Sequence, residues 1–189
     1  MKKEKLFPKA GLLLVYLYLS LYLSCSGYRK EIDKQVSILY SSQVDIPASE
    51  MDTLVYDSAY MHKKPNYQIL VYVDSLQCTS CYASHIFEWE EILRACRDYY
   101  MQSISMIFII EGNISEEEKE LFLASSFNKT IFLDKKGIFR KTNKSFPKSE
   151  ILHVLLLDEK GSVLLVGNPL YNKKIEDMLL SRMRDSMKK

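Results

Sequence analysis

Val71-Tyr72-Val73-Asp74-Ser75-Leu76-Gln77-Cys78-Thr79-Ser80-Cys81-Tyr82-Ala83-Ser84-His85-Ile86-Phe87-Glu88-Trp89 joins two kinds of sequence. Its first residues close an apolar run that begins at Tyr67, after the turn residues Lys63-Lys64-Pro65-Asn66. A run of that length, apolar at successive positions, predicts a central strand buried on both faces over 67–73. From Thr79 the apolar residues change period, and Ile86, Trp89, Leu93 and Cys96 share one helical face, which predicts a helix over 79–99. Two cysteines, Cys78 and Cys81, sit at the junction.

Outward from this junction the chain alternates. Ser103 to Ile110 reads as a second buried strand. Ser115 with Glu118 three residues on makes a capping box, which starts a helix running to Phe127. Thr130 to Leu133 reads as a third strand ending at Asp134, and 135–144 as a connector that could hold a turn of helix. Ile151 to Leu157 and Ser162 to Val166 read as strands joined by the tight turn Asp158-Glu159-Lys160-Gly161, hence a hairpin. Asn172 to Met187 closes the chain as a helix with Ile175, Leu179 and Met183 inward. Strand–helix–strand–helix–strand implies parallel strands with right-handed crossovers, and the hairpin adds an antiparallel edge, so the class is α/β.

The position of the cysteines matters more than their spacing. A helix N-terminus presents amides with no intrahelical partner and a partial positive charge, both of which stabilise a thiolate. The first cysteine of such a pair is expected to be reachable and lowered in pKa, with the second tucked into the first turn. The competing reading is an inert bridge, but a two-residue gap closes so small a loop that little unfolded-chain entropy is removed. The placement favours a working couple, with Cys78 as nucleophile and Cys81 as the thiol that resolves the mixed disulfide.

The other end of the chain sets the expected compartment. Lys2, Lys3, Lys5 and Lys9 precede an apolar stretch from Gly11 to Ser24 that is short for a bilayer span of about 20 residues, the pattern of a secretory signal. Ser24-Cys25-Ser26-Gly27 resembles a bacterial lipobox, in which the thiol of Cys25 carries the lipid, although Tyr22 stands where leucine is usual. The expected organisation is therefore a lipoprotein signal peptide over 1–24, a tether and lead-in over 25–62, and one domain over 63–189. Within the lead-in, Ile32, Val36 and Leu39 could share a helical face and Thr53 to Tyr56 could form a short strand. A net charge of +2 with scattered basic residues excludes a nucleic-acid surface. In an exported chain the cysteines other than Cys25, namely Cys78, Cys81 and Cys96, face an oxidising space.

The segment from Val71 to Trp89 resembles the active-site strand and helix of thioredoxin-like lipoproteins from Bacteroidetes-type bacteria, which are similar to periplasmic thiol–disulfide oxidoreductases of the TlpA and ResA kind. Ile131-Phe132-Leu133-Asp134, Leu155-Leu156-Leu157-Asp158-Glu159-Lys160-Gly161 and Gly167-Asn168-Pro169 also fit that pattern. The resemblance implies a thioredoxin-like three-layer sandwich, a central mixed sheet with a C-terminal hairpin and closing helix. It implies thiol–disulfide exchange in the cell envelope, no cofactor, protein or small thiol substrates, and a possible membrane redox partner beside the lipid anchor. Three positions depart from the family: Gln77 replaces the tryptophan common before the first cysteine, Thr79-Ser80 lacks the proline that stiffens the pair, and Leu152 stands at the cis-proline that faces the disulfide. In the family that proline loop offers backbone hydrogen bonds to a bound peptide and keeps metal from the thiols.

His153 follows the missing proline and is expected to look across at the cysteines. Cys78, Cys81 and His153 could then form a copper site, since soft thiolates with imidazole suit that metal. A lipid-anchored metallochaperone is therefore one alternative function, and a non-catalytic binding module of the same fold another. Ser75-x-x-Cys78 weakly resembles a peroxidatic motif, but Cys81 fits poorly as its resolving cysteine. His85 is expected at the surface, Trp89 in the core or at its rim, and Cys96 as a small core residue.

Overall fold

The computed structural model describes Leu14 and residues 27–55, 65–99, 103–125 and 127–186. Apart from Leu14, the expected signal segment lies outside these residues, as do Cys25, Tyr56 and Met187. The chain divides into two units, Met1–Ser37 and Ile38–Lys189, and the second holds the sheet. The elements in chain order are α1 (27–40), β1 (Asp52–Val55), β2 (Tyr67–Val73), α2 (Thr79–Ser84), α3 (Ile86–Arg94), β3 (Ile104–Glu111), α4 (Glu116–Ala124), β4 (Lys129–Asp134), α5 (Ile138–Thr142), β5 (Val154–Asp158), β6 (Val163–Val166) and α6 (Lys173–Ser186).

Six strands form one mixed sheet in the order β1-β4-β3-β2-β5-β6. β2 pairs parallel with β3 from Tyr67↔Ile104 to Val73↔Ile110, and β3 pairs parallel with β4. β5 runs antiparallel to β2 and to β6, giving the expected hairpin. β1, inside the stretch read as a lead-in, pairs antiparallel with β4 and supplies an edge of the sheet.

The period-2 alternation of a strand sends its two sets of side chains to opposite layers. Ile69, Val71 and Val73 of β2 join Phe108 and Ile110 of β3 against Ile86, Trp89 and Leu93 of α3, Phe122 of α4, and Leu179 and Met183 of α6. Tyr72 points the other way, into a ring cluster with Phe139 of α5, Phe146 and His153. Helices therefore cover both faces, as the three-layer expectation required.

Several boundaries differ from the sequence reading, among them the end of α4, which stops at Ala124 short of the expected Phe127. The helix expected over 79–99 is divided at His85 (φ −90°, ψ 10°), and its end, Ala95–Tyr99, widens into a π-helical turn. The Ser84 hydroxyl donates to the Cys81 carbonyl at 2.9 Å, the same oxygen that takes the His85 amide at 3.3 Å, and such back-bonding bends helices. The strand expected from Ile151 begins only at Val154. Glu150–Leu152 forms a 3-10 turn in which the amides of Leu152 and His153 donate to Ser149 and Glu150 carbonyls at 3.0 Å each. The capping box at Ser115 forms as expected, and α4 runs from Glu116 to Ala124.

Gly161 is required by both conformation and space. Its φ is +84°, and a Cβ there would lie 2.5 Å from the Val44 carbonyl oxygen, on a backbone whose amide donates back to Gly161 at 2.8 Å. Gly112 has a φ of +100° but open space around it. Gly161→Ala should therefore lower unfolding free energy by about 2 kcal/mol, and Gly112→Ala by about 1 kcal/mol from backbone strain alone. Urea unfolding midpoints with the disulfide intact check the ranking; equal losses would remove the steric part of the argument.

Candidate functional site

The chain leaves β2 at Val73 and crosses to α2 through a loop that its own side chains hold closed. The Asp74 amide donates to Gln77 Oε1 at 2.7 Å, the Leu76 amide to Asp74 Oδ1 at 3.0 Å, and the Gln77 amide to the Asp74 carbonyl at 2.9 Å. This brings Cys78 to the N-cap of α2, the position whose side chain normally serves an orphan helix amide. Cys78 Sγ accepts the Cys81 amide at 3.2 Å and lies 3.3 Å from Ser80 Oγ. Cys78 and Cys81 are joined in a disulfide with their Cα atoms 5.2 Å apart. Both cysteines are exposed, so Cys81 is not tucked away as expected. The sulfurs differ instead in that the amide hydrogen bond falls on Cys78.

Beside the pair opens a groove of about 560 Å³. Leu152, Val154, Val166 and Ile175 form its apolar wall, with Tyr82, Tyr171 and Ile151 around it. Gln77 donates from Nε2 to Tyr82 Oη and to Glu150 Oε2, each at 3.2 Å. Leu152 thus does lie on the same groove as the cysteines, but on a trans backbone, for the described residues contain no cis peptide.

His153 is turned away from them. It is 1% exposed, does not line the groove, and packs its ring against Tyr72 and Phe146 on the far face of the sheet. Nε2 lies 3.1 Å from the Pro147 carbonyl, which it meets as a donor in the tautomer protonated there, and 3.4 Å from Arg140 Nη2, while Nδ1 is buried without a partner among the described residues. The expected triangle of Cys78, Cys81 and His153 is therefore not formed, and no cluster of three or more His, Cys, Asp or Glu able to hold a metal occurs among the described residues. Thr79 opens α2 and Ser80 contacts the Cys78 sulfur; neither lines the groove.

A polar cluster that the sequence reading missed lies at the C-terminal ends of β2 and β3. Arg140 of α5 donates from Nη2 to Asp74 Oδ2 at 2.7 Å, from Nε to Tyr72 Oη at 2.9 Å, and from Nη1 to the Pro147 carbonyl at 3.1 Å. Tyr72 in turn donates to Glu111 Oε2 at 2.6 Å. Burial alone would push the Asp74 carboxyl up, but the Leu76 amide and Arg140 outweigh it and hold the group below its ordinary range. Burial, with Glu111 as hydrogen-bond acceptor, pushes the Tyr72 phenol up. The signal available in sequence was position: charged residues at the carboxyl ends of adjacent parallel strands are where such folds place sites. Cys96 is free, fully buried, and its thiol is pushed up to about 11 by burial, so it is a core residue as expected. Trp89 is likewise core, and His85 pairs at the surface with Glu88.

No family model matches the chain, and no curated protein matches it significantly in sequence. Among solved structures it is similar to a thioredoxin-like protein from Porphyromonas gingivalis at 15% identity and a TM-score of 0.50, covering 76% of this chain and 92% of that one. The fold is thioredoxin-like. Likenesses of lower score link this thioredoxin-like chain to a domain of a possible thiol-disulfide isomerase from Cytophaga hutchinsonii (17% identity, TM-score 0.47, 74% and 91% covered) and to StoA from Bacillus subtilis (18%, 0.40, 62% and 85%). No helix among the described residues is long and apolar enough to cross a membrane.

Burial, together with the neighbouring Arg140 charge, lowers the His153 pKa below its ordinary value of 6.5, against the Pro147 hydrogen bond and the carboxylates of Asp74 and Glu150. For a base shifted this way the unfolded chain binds more protons between the two pKa values. Its stabilising contribution is complete above about pH 6.5 and is lost as pH falls toward the folded value. The urea midpoint should thus decline from pH 7 to pH 5, and His153→Gln should flatten that slope. An unchanged slope in a variant that folds at pH 7 would mean that His153 is not held neutral.

Proposed function

We propose that this chain is a thiol–disulfide oxidoreductase of the cell envelope, acting through Cys78 and Cys81 and held to a membrane by a lipid on Cys25. The observation that carries the reading is the exposed disulfide at the start of α2, with the Cys81 amide on Cys78 Sγ, at the mouth of an apolar groove. An amide hydrogen bond stabilises the thiolate form of Cys78 in the reduced state, which makes that sulfur the attacking group in one direction and the better leaving group in the other. Starting from the disulfide, a substrate thiolate attacks Cys78 Sγ, the Cys78–Cys81 bond breaks, and Cys81 takes the electron pair and then a proton. A second substrate thiolate attacks the substrate sulfur of the mixed disulfide and releases Cys78 as a thiolate. The substrate dithiol is oxidised by two electrons and the chain is left as a dithiol; the reverse sequence reduces a substrate disulfide.

With His153 on the opposite face, nothing in the arrangement favours the copper reading. The exposure of both sulfurs speaks against a retired, non-catalytic module. The basic leader and the Ser24-Cys25 junction support export and lipidation.

In the full-length chain, Cys81→Ser should accumulate mixed disulfides mapped to Cys78, at least about tenfold more than Cys78→Ser accumulates through Cys81, because the attacking thiol remains while the resolving one is gone. Mass mapping of alkylated tryptic peptides reads the site. Adducts mainly on Cys81 would reverse the roles, and adducts on neither would sink the reading.

Anchoring is tested separately. Metabolic labelling with a fatty-acid analogue should mark the parent and not Cys25→Ala; equal labelling of both would end the lipid proposal while leaving the redox one intact.

A further inference from the structure

The groove beside the pair is chemically one-sided. Its wall is aliphatic, from Leu152, Val154, Val166 and Ile175, and Glu150 is the single charged residue among the described residues that line it. Its backbone donors are largely spent within the chain. The Leu152 and His153 amides close the 3-10 turn, and the Gly167 amide donates to the Val154 carbonyl at 2.9 Å. Those three amides are closed to a substrate strand, and side chains take over the recognition they would otherwise supply.

Two side chains keep donors for it. Asn168 Oδ1 accepts the Leu170 amide at 2.9 Å and Asn172 Oδ1 accepts the Lys174 amide at 3.0 Å. This fixes each amide's orientation and leaves both Nδ2 groups without a partner among the described residues, beside an apolar wall. Peptide carbonyls suit those donors, aliphatic side chains suit the wall, and a cation suits Glu150. Glutathione suits the groove less well: it has no aliphatic side chain for the wall, and each unit sets two carboxylates against one ammonium, so its net charge has the same sign as Glu150.

We infer that the groove takes a segment of another protein's chain, aliphatic and carrying a basic side chain beside its cysteine, rather than glutathione. The inference rests on the oxidoreductase reading and specifies its substrate. Glu150 is then a specificity-determining residue, acting by charge on encounter and leaving the sulfur chemistry to Cys78 and Cys81.

The test uses the full-length chain and three oxidants of its reduced form: a peptide disulfide with leucine and lysine flanking cysteine, the same peptide with aspartate for lysine, and glutathione disulfide. Each rate is divided by the same protein's rate of disulfide reduction by dithiothreitol. The lysine peptide should react about fivefold faster than the aspartate peptide at low salt, the ratio shrinking toward one in 0.5 M salt, and faster than glutathione disulfide. Glu150→Gln, which keeps an acceptor for Gln77, should remove the charge preference, and Glu150→Lys should invert it. If dithiothreitol opens the Cys78–Cys81 bond but the ratio is one, or glutathione is fastest, the groove assignment is overturned and the oxidoreductase stands. A preference that survives Glu150→Gln and Glu150→Lys overturns the role of Glu150. A bond that dithiothreitol cannot open overturns both proposals together.

Discussion

β2 has no solvent face, and the rest of the molecule is arranged around that constraint. It is hydrogen-bonded on one side to β3 and on the other to β5, with side chains buried alternately in two layers. A strand so enclosed can be left only at its end, and the first point at which the chain reaches solvent is the loop at Ser75 and Leu76. The cysteines follow at once. Their exposure is thus a consequence of where the central strand stops, and their chemistry a consequence of the helix that must begin there to cover one face of the sheet.

Ending parallel strands side by side also gathers polar groups in a confined place. Tyr72, Asp74 and Glu111 come from β2, the loop after it and the end of β3, and a single guanidinium on α5 hydrogen-bonds Tyr72 and Asp74 and lies 3.9 Å from Glu111, which also takes the Tyr72 hydroxyl. Arg140 and Asp74 are each about one-fifth exposed, so their attraction works against a real desolvation cost, and the additional neutral partners are what make the arrangement tolerable. Because Arg140 also holds the Pro147 carbonyl, it ties the loop before Cys78 to the segment before Leu152. The segments on the two sides of the disulfide share one anchor.

Much of this was legible locally and little of it at long range. β2 matches its sequence limits because an apolar run between turn residues has few other solutions, and α4 starts where the capping box is written. Arg140 and Asp74 are 66 residues apart, and no periodicity links them. Local competition was also hidden: the Ser84 hydroxyl that bends the first helix, and the turn that delays β5 to Val154, depend on hydrogen bonds that propensity does not rank. The misplacement of His153 was avoidable. Neighbouring residues at the start of a strand face opposite sides, so a groove that holds Val154 leaves His153 on the other face.

The exchange of proline for leucine at position 152 has a structural corollary. A proline has no amide to give, so the segment before a strand cannot close a turn through it. Leucine at that position supplies the amide, the turn Glu150–Leu152 closes, and the carbonyls of Ser149 and Glu150 are occupied. The same turn lifts Ile151 outward to 53% exposure while Leu152 stays in contact with the groove. What the turn sets beside the cysteines is, on the proposed function, a shaped side-chain surface whose one charge among the described lining residues is the Glu150 carboxylate. A surface of that kind discriminates between substrates by their flanking residues, whereas a backbone edge accepts any chain that can lie extended.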